Sequence, residues 1–469
     1  TAGRRHGRRA ARGARMTTRR ELLKSAALLG LAGLPSLSRA AGPALASAPV
    51  AGHFTPTSAR LWVQATAAAR CAISFHPAGE SGETARTARV ALDADGLNAA
   101  VVTLEGLRPA TTYRYRVALE GAEEGTEGSF RTAAGPGAGP RDFRVYLGSC
   151  AYTETHTRGG SPYGDELHVF DAMAARMAAD PLPHFMLWLG DNLYLRNASR
   201  SGAPADFSSA ELMRERYREV RAKPFLQKLL AATHHYAIWD DHDYGPNNAD
   251  RHFPLKGESL RLFRSYWPNP DSGAAGVPGT SARFRQEDVD FFLLDGRFHR
   301  DAEKAPADPA KAMFGAAQVR WLKEGLERSS AAFKVVASGS QLLSQNANGV
   351  TSGWHSYEGE RRPFLEWLAA SRIPGVILLS GDRHNTQVFR LDREGAAPVF
   401  EYSCSPLTSK LAALSAAERE NPRLVAALAV ERRNFGTLEF SREGERRRAL
   451  ARCFDTRGNA LWTQVLAAV

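Results

Sequence analysis

The sequence predicts an α/β chain. A layered α/β/α domain with mixed sheets fills residues 142–469, and a small all-β domain fills residues 41–133. Three observations carry this. First, residues 185–189, 236–239 and 376–379 are short, continuous apolar runs, and residues 143–147 form a fourth interrupted only by Arg144, the pattern of strands buried on both faces. Second, helical periodicity separates them: Leu167, Phe170, Met173 and Met177 fall on one face, as do Val319, Leu322 and Leu326. Third, residues 49–132 hold only short alternating runs and turn signals. A chain of 469 residues, 43% hydrophobic, has the material for two to three domains and a sizeable core.

The all-β part comes first. Residues 60–63 and 71–75 alternate in and out, and residues 104–117 read Leu-Glu-Gly-Leu-Arg-Pro-Ala-Thr-Thr-Tyr-Arg-Tyr-Arg-Val. The Leu-x-x-Leu-x-Pro-x-Thr-x-Tyr-x-Tyr run resembles a fibronectin type III sandwich, in which the tyrosine packs at the turn into a late strand. Residues 134–141, rich in Gly and Pro, read as a linker. Beyond it, residues 208–230 predict a helical region broken at Pro224. Residues 290–294 and 333–337 add buried strands, and residues 399–403 and 435–440 are late strands.

The net charge of +11 is local. Residues 1–40 hold ten Lys and Arg against Glu21 alone, so the rest is nearly balanced. A basic run confined to one end does not support nucleic-acid binding. Thr18-Arg19-Arg20-Glu21-Leu22-Leu23-Lys24 fits a twin-arginine signal, residues 25–37 its short apolar core, and Ser38-Arg39-Ala40 a cleavage site, with Ala46-Ser47-Ala48 as the alternative. Met16 reads as the initiator, with residues 1–15 upstream of it. The expected location is periplasmic or secreted, and the partner on the way is the twin-arginine export machinery. The core is shorter than the roughly 20 residues a bilayer requires, and no later stretch looks transmembrane. Cys71, Cys150, Cys404 and Cys453 lie far apart without CxxC spacing. An exported chain can pair two of them, and Cys150 is kept out of any such bridge by its place at a strand end.

The chemistry sits at the ends of the apolar runs. Residues 143–147 lead into Gly148-Ser149-Cys150, 185–189 into Gly190-Asp191-Asn192-Leu193-Tyr194, 236–239 into Asp240-Asp241-His242-Asp243, and 376–379 into Ser380-Gly381-Asp382-Arg383-His384. One such Asp is an ordinary helix cap. Four strand ends carrying Asp, His or Cys predict one polynuclear metal site at the carboxyl edge of the sheet. Hard oxygen ligands suit Ca²⁺, Mg²⁺ or Fe³⁺, whereas a thiolate and an imidazole draw one position toward a transition ion. Adjacent metals clamp a phosphoryl group and generate a hydroxide nucleophile at neutral pH. His242, next to Asp241 on what reads as a strand end, is expected to point elsewhere and to act as general acid or charge stabiliser.

These motifs, in this order and at these separations, resemble those of the alkaline phosphatase D (PhoD-type) metallophosphatases. Residues 292–297 (Phe-Leu-Leu-Asp-Gly-Arg) and 315–322 (Gly-Ala-Ala-Gln-Val-Arg-Trp-Leu) fit too. Gly-Asp-x-x-Tyr is shared with purple acid phosphatases. The resemblance implies an α/β/α scaffold binding Fe³⁺ and one or two Ca²⁺. It implies that Asp191 bridges two metals, that Cys150, Tyr194 and His384 join it around iron, and that Asp241, Asp382 and Asn247 hold calcium. His242 and Arg297 would meet the substrate, with Asp191 and His242 counted as catalytic, and Asp240 and Asp243 would orient ligands. Many relatives have Trp-Asp-Asp-His-Glu; here the chain reads His242-Asp243-Tyr244-Gly245-Pro246-Asn247-Asn248, which leaves the calcium ligands open. Arg297 reads equally well as a surface ion pair, and His184, His234 and His235 as structural.

The expected function is an exported metal-dependent alkaline phosphatase acting on small phosphate monoesters. The alternatives are phosphodiester cleavage, including phospholipase D-like action, and a non-enzymatic surface binder. No Gly-x-Ser-x-Gly elbow or P-loop is present.

Overall fold

A computed structural model of the protein describes residues 42–469 except 123, 136, 138, 155, 159–160, 198–204, 207–208, 307 and 346–352. The signal read at residues 1–40 lies outside the described residues. Among those described, no helix is long and apolar enough to cross a membrane.

Two six-stranded mixed sheets dominate. In the first, His234–Ile238, His184–Leu189 and Phe143–Gly148 run parallel. The antiparallel Asn434–Glu443, Arg446–Asp455 and Ala460–Ala468 extend it. In the second, Val289–Leu293, Phe333–Ala337, Val376–Ser380 and Ala396–Ser403 are parallel, with Ala282–Gln286 and Gln387–Arg393 as antiparallel edges. The central strands of both are apolar on both faces, as their continuous runs require. One face of each meets the other sheet: Phe185 packs edge-on against Phe291, and Phe440 against both Phe291 and Phe333. The opposite faces meet helices. Val169–Ala178 and Pro224–Ala232 cover the first sheet, and Ala316–Glu327 and Glu358–Ala370 the second. The mixed sheets between helical layers are those expected, and the central layer is two sheets thick.

The region predicted from 208 to 230 is two helices, Ala210–Arg221 and Pro224–Ala232, broken where Pro224 takes the first position of the second. The helix anticipated around Leu167, Phe170, Met173 and Met177 starts only at Val169. Glu166 is left-handed, at φ 55°, a conformation no right-handed helix accommodates.

Residues 50–131 form the all-β part. One sheet orders Val50–Phe54, Ser58–Gln64 and Ala99–Glu105; the other orders Arg86–Leu92, Ala69–Pro77, Thr112–Leu119 and Thr126–Arg131. Tyr113, at the start of Thr112–Leu119, accepts the Arg108 N–H at 3.0 Å. That bond is the corner the tyrosine motif anticipated. This part docks tightly on the α/β part, because residues 43–469 form one compact unit. Trp62 is fully buried against Tyr266, and the Arg221 guanidinium lies 5.1 Å from its ring centroid. Gln64 donates to the Tyr266 hydroxyl at 2.7 Å, and His53 N–H to the Pro268 carbonyl at 2.7 Å. Gly52 permits that approach, since a Cβ there would fall 2.3 Å from Pro268.

Trp62→Ala removes a fully buried indole from this interface and is expected to destabilise the chain by about 3–5 kcal/mol. Denaturant unfolding monitored by tryptophan fluorescence should show one cooperative transition moved to lower denaturant. A separate early transition, with the later one unmoved, would mean that the two parts fold independently.

Candidate metal centre

The parallel registers bring the carboxyl ends of both sheets to one edge. Trp188 pairs with Gly148, Leu189 with Ile238, and Ala337 with Leu379. The residues just past these ends are the ones the sequence singled out. At that edge the chain turns back on itself: Cys150, Asp191, Asp382 and His384 all have positive φ, at 57°, 51°, 71° and 56°. Such backbone costs ~1–3 kcal/mol per residue and persists only where its surroundings enforce it. Here Cys150 N–H donates to the Gly190 carbonyl at 3.2 Å, Ala151 N–H to the Asp191 carbonyl at 2.8 Å, and Gly381 N–H to the Gly339 carbonyl at 2.8 Å. Gly190 is itself left-handed (φ 90°), and a Cβ on it would come within 2.8 Å of the Asp240 Cβ. That Cβ would also lie 3.2 Å from Gly339 Cα, just past a strand of the second sheet, so the two sheets meet closely at the site.

Three overlapping sets of possible ligands result: Cys150, Asp191 and His384; Asp191, Asp241 and His242; and Asp240, Asp241 and Asp382. Within each, the candidate ligand atoms lie within 4.8 Å of one another. Asp191 and Asp241 each belong to two sets. Tyr194 joins the first, its hydroxyl 3.4 Å from both Asp191 Oδ2 and His384 Nε2. Most of these side chains are buried, whereas Asp382 and His384 are partly exposed, so the site opens on their side.

The electrostatics fit a cation-filled site. Burial, reinforced by Asp241, Asp240, Asp243 and Asp382, pushes the Asp191 carboxyl well above its usual range. Burial, with Asp191 and Asp382, raises the Cys150 thiol; burial, with Cys150 and Asp191, raises the Tyr194 phenol. Burial, then His242, Lys410 and Arg383, draws His384 down to about 3, leaving it neutral as a ligand must be. Burial lifts Asp240 to about 6 despite Arg297 beside it. Asp241 goes the other way: burial opposes its charge, but His242 and Arg297 hold its carboxyl low. Added positive charge is what such a set of acids lacks.

Two expectations need correcting in their physical basis. The first concerns His242. Asp241–Tyr244 is a helical turn, so Asp241 and His242 are separated by about 100° of rotation, not by the alternation of a strand. Both therefore border Asp191, and His242 N–H donates to Asp191 Oδ1 at 3.2 Å. The second concerns Arg297. It is fully buried, not a surface residue. Its Nε donates to Asp240 and its Nη2 to Ser340 Oγ at 3.1 Å, 4.0 Å from Asp241. Arg297 thus stands behind the acidic cluster.

The remaining predicted residues divide. Asp243 accepts the backbone N–H groups of Asn192 and Asp240, both at 2.9 Å, and ties two strand ends together. Asn247 is exposed; it is the neighbouring Asn248 whose N–H reaches Asp241, at 2.7 Å. His234 and His235 are buried, and His234 is hydrogen-bonded to the Gly52 carbonyl. All four cysteines are free and buried.

Two contributors escaped the sequence reading. Ser405 Oγ lies 3.2 Å from Cys150 Sγ and accepts the His384 N–H at 3.0 Å. It lies two residues past the strand Ala396–Ser403, and a serine there carries no metal-ligand signal. Arg196, whose Nη2 lies 3.3 Å from His242 Nδ1, carried no such signal.

Comparison with known proteins agrees with this geometry. Residues 149–451 match the family model described as PhoD-like phosphatase, and residues 42–131 match a domain of unknown function (DUF7800). Alkaline phosphatase D of Bacillus subtilis (strain 168) is 25% identical over 325 residues, 60% of this chain and 52% of that protein; the match spans about half the length of that relative. A solved structure of PhoD superposes with a TM-score of 0.70 at 18% identity, covering 90% of this chain and 92% of that one. The yellow lupin purple acid phosphatase PPD1 superposes at 0.61 with 11% identity, over 90% and 74%. The fold is thus shared with both structures, and the ligand-bearing strand ends lie inside the matched family region: this chain belongs to the PhoD-like phosphatase family.

Proposed function

We propose that the chain is an exported, metal-dependent phosphatase that hydrolyses phosphate monoesters, with phosphodiesters as a slower second class. The observation that carries this is the two ligand sets Cys150–Asp191–His384 and Asp240–Asp241–Asp382, with Asp191 close beside Asp241 between them, which suits adjacent cations. Cys150, Asp191, Tyr194 and His384 would hold Fe³⁺, and Asp241 and Asp382 with Asp191 would hold Ca²⁺, with Asn247 able to join only if its loop closes inward. Bound there, such ions polarise a phosphoryl group and make an attacking water acidic enough near neutral pH. The protein's own part is to hold the ligands in strained positions and to offer a donor to the substrate. His242 is that donor, toward a phosphoryl or leaving oxygen, because its ring stacks on Tyr194 with centroids 4.3 Å apart. Lys311 is engaged with the Glu303 and Ala305 backbone carbonyls and Arg383 with Glu418. A dianionic substrate would therefore be met mainly by the metals and His242.

Thiolate and phenolate ligands on a ferric ion give visible charge-transfer absorption. The purified protein should be coloured, bleach with reductant, and contain about one iron per chain beside calcium by elemental analysis. Tyr194→Phe should shift or weaken the band, and Cys150→Ala should lose iron. A colourless, fully active enzyme carrying only zinc or manganese would overturn the iron assignment.

Phosphate release should be faster from nitrophenyl and alkyl monoesters than from the matching diesters. His242→Ala should keep its metal and lose roughly 10²–10³-fold in kcat, most severely on the alkyl ester. Faster diester cleavage would transfer the assignment to a phosphodiesterase.

For export, Arg19→Lys combined with Arg20→Lys should retain the protein in the cytoplasm on cell fractionation. Unchanged export would remove the twin-arginine reading.

A further inference from the structure

We propose that Arg196 is a positioning residue that fixes the tautomer of His242, so that His242 presents Nε2–H to the substrate and does not ligate a metal. This rests on the phosphatase reading above. The Arg196 Nη2 lies 3.3 Å from His242 Nδ1. A guanidinium has donors only, so Nδ1 must accept, and in the neutral ring the proton then sits on Nε2. A ring nitrogen that carries a proton cannot bind a metal; it can donate a hydrogen bond. No bond to hydrogen is broken in this role: Nε2–H stays on the ring and stabilises negative charge growing on the phosphoryl or leaving oxygen.

The surroundings hold Arg196 in place for this. It is buried, and its guanidinium lies 5.8 Å from the Tyr194 ring centroid, within the range of a cation–π contact. Its backbone carbonyl accepts from Arg216 Nη2 at 2.9 Å, and Arg216 is ion-paired with Glu154. Arg216 comes from the helix Ala210–Arg221, whose N-terminus is capped by Ser209. The imidazole is held from three further directions. Its plane lies on Tyr194, its backbone N–H points to Asp191, and its carbonyl accepts Leu195 N–H at 3.1 Å.

The test is a double-mutant cycle on the metal-loaded protein. Wild type, Arg196→Met, Arg196→Lys, His242→Ala and Arg196→Met/His242→Ala are assayed with an alkyl phosphate and with nitrophenyl phosphate, and their metal content is measured. Arg196→Met should lose roughly 10–100-fold in kcat on the alkyl ester, less on the nitrophenyl ester, with KM and metal content unchanged. Arg196→Lys, which keeps a donor, should recover much of the loss. In the His242→Ala background, Arg196→Met should cost no more than about 2-fold. A full additive loss there, a rise in KM with kcat preserved, or wild-type rates in Arg196→Met would each overturn the proposal. If Arg196→Met does not fold, Arg196→Lys and Arg196→Gln, each combined with His242→Ala, decide by the same criterion. A wild type that hydrolyses neither ester removes the phosphatase reading and this inference with it, whereas an active wild type with additive losses removes the inference alone.

Discussion

Five aspartates, 191, 240, 241, 243 and 382, share one region between the sheet ends, and like charges packed this closely in a dry environment repel. The neighbourhood is arranged around that repulsion. Arg297 is buried against Asp240 as a built-in counter-charge. Asp243 is turned away and satisfied by two backbone N–H groups. Removing one partner of a buried pair such as Arg297–Asp240 leaves an uncompensated charge, which costs far more than a surface pair. The remaining carboxylates, with the thiol and the phenol, are left for cations to neutralise.

Bringing these groups together requires that two sheets end at one edge and approach closely. Gly190, Gly339 and Gly381 stand where they meet, and a Cβ on any of them would fall within 2.8 Å of another atom. The ligand residues beside them adopt left-handed backbone although none is glycine. The strain is concentrated where the chemistry is, and the hydrogen bonds between neighbouring loops hold it. Ser405, from a strand end of the second sheet, then touches Cys150 from the first and closes the set.

Among the described residues, the N-terminal sandwich contributes to none of the three candidate ligand sets, yet it is no loosely tethered spacer. Trp62 and Gln64 fit against Tyr266, and Phe54 packs on His234, the first residue of a strand that ends at the site. Support at the far end of His234–Ile238 limits how far Asp240 and Asp241 can drift. That is a structural service to the site without a share in its chemistry.

Much was decided by sequence alone. Continuous apolar runs announce strands with both faces covered, and the polar residues that end them announce a site, because buried charge is tolerated only when it is paired or bound. The tyrosine corner and the break at Pro224 were equally legible, since each rests on local geometry. Other features were settled only by the tertiary structure. Whether the layer between the helices is one sheet or two depends on which face meets which, and an unbroken apolar run looks the same in either case. Arg297 reads in sequence equally well as a phosphate-binding or a surface arginine, and its burial depends on Asp240 arriving from another strand. Arg196 has no motif, and its contact with His242 spans 46 residues of chain. His242 itself was misjudged locally because a single helical turn, where a strand end was assumed, changes which way neighbouring side chains point. Patterns of period 2 and 3.6 are written along the chain; contacts between charges brought together from distant strands are not.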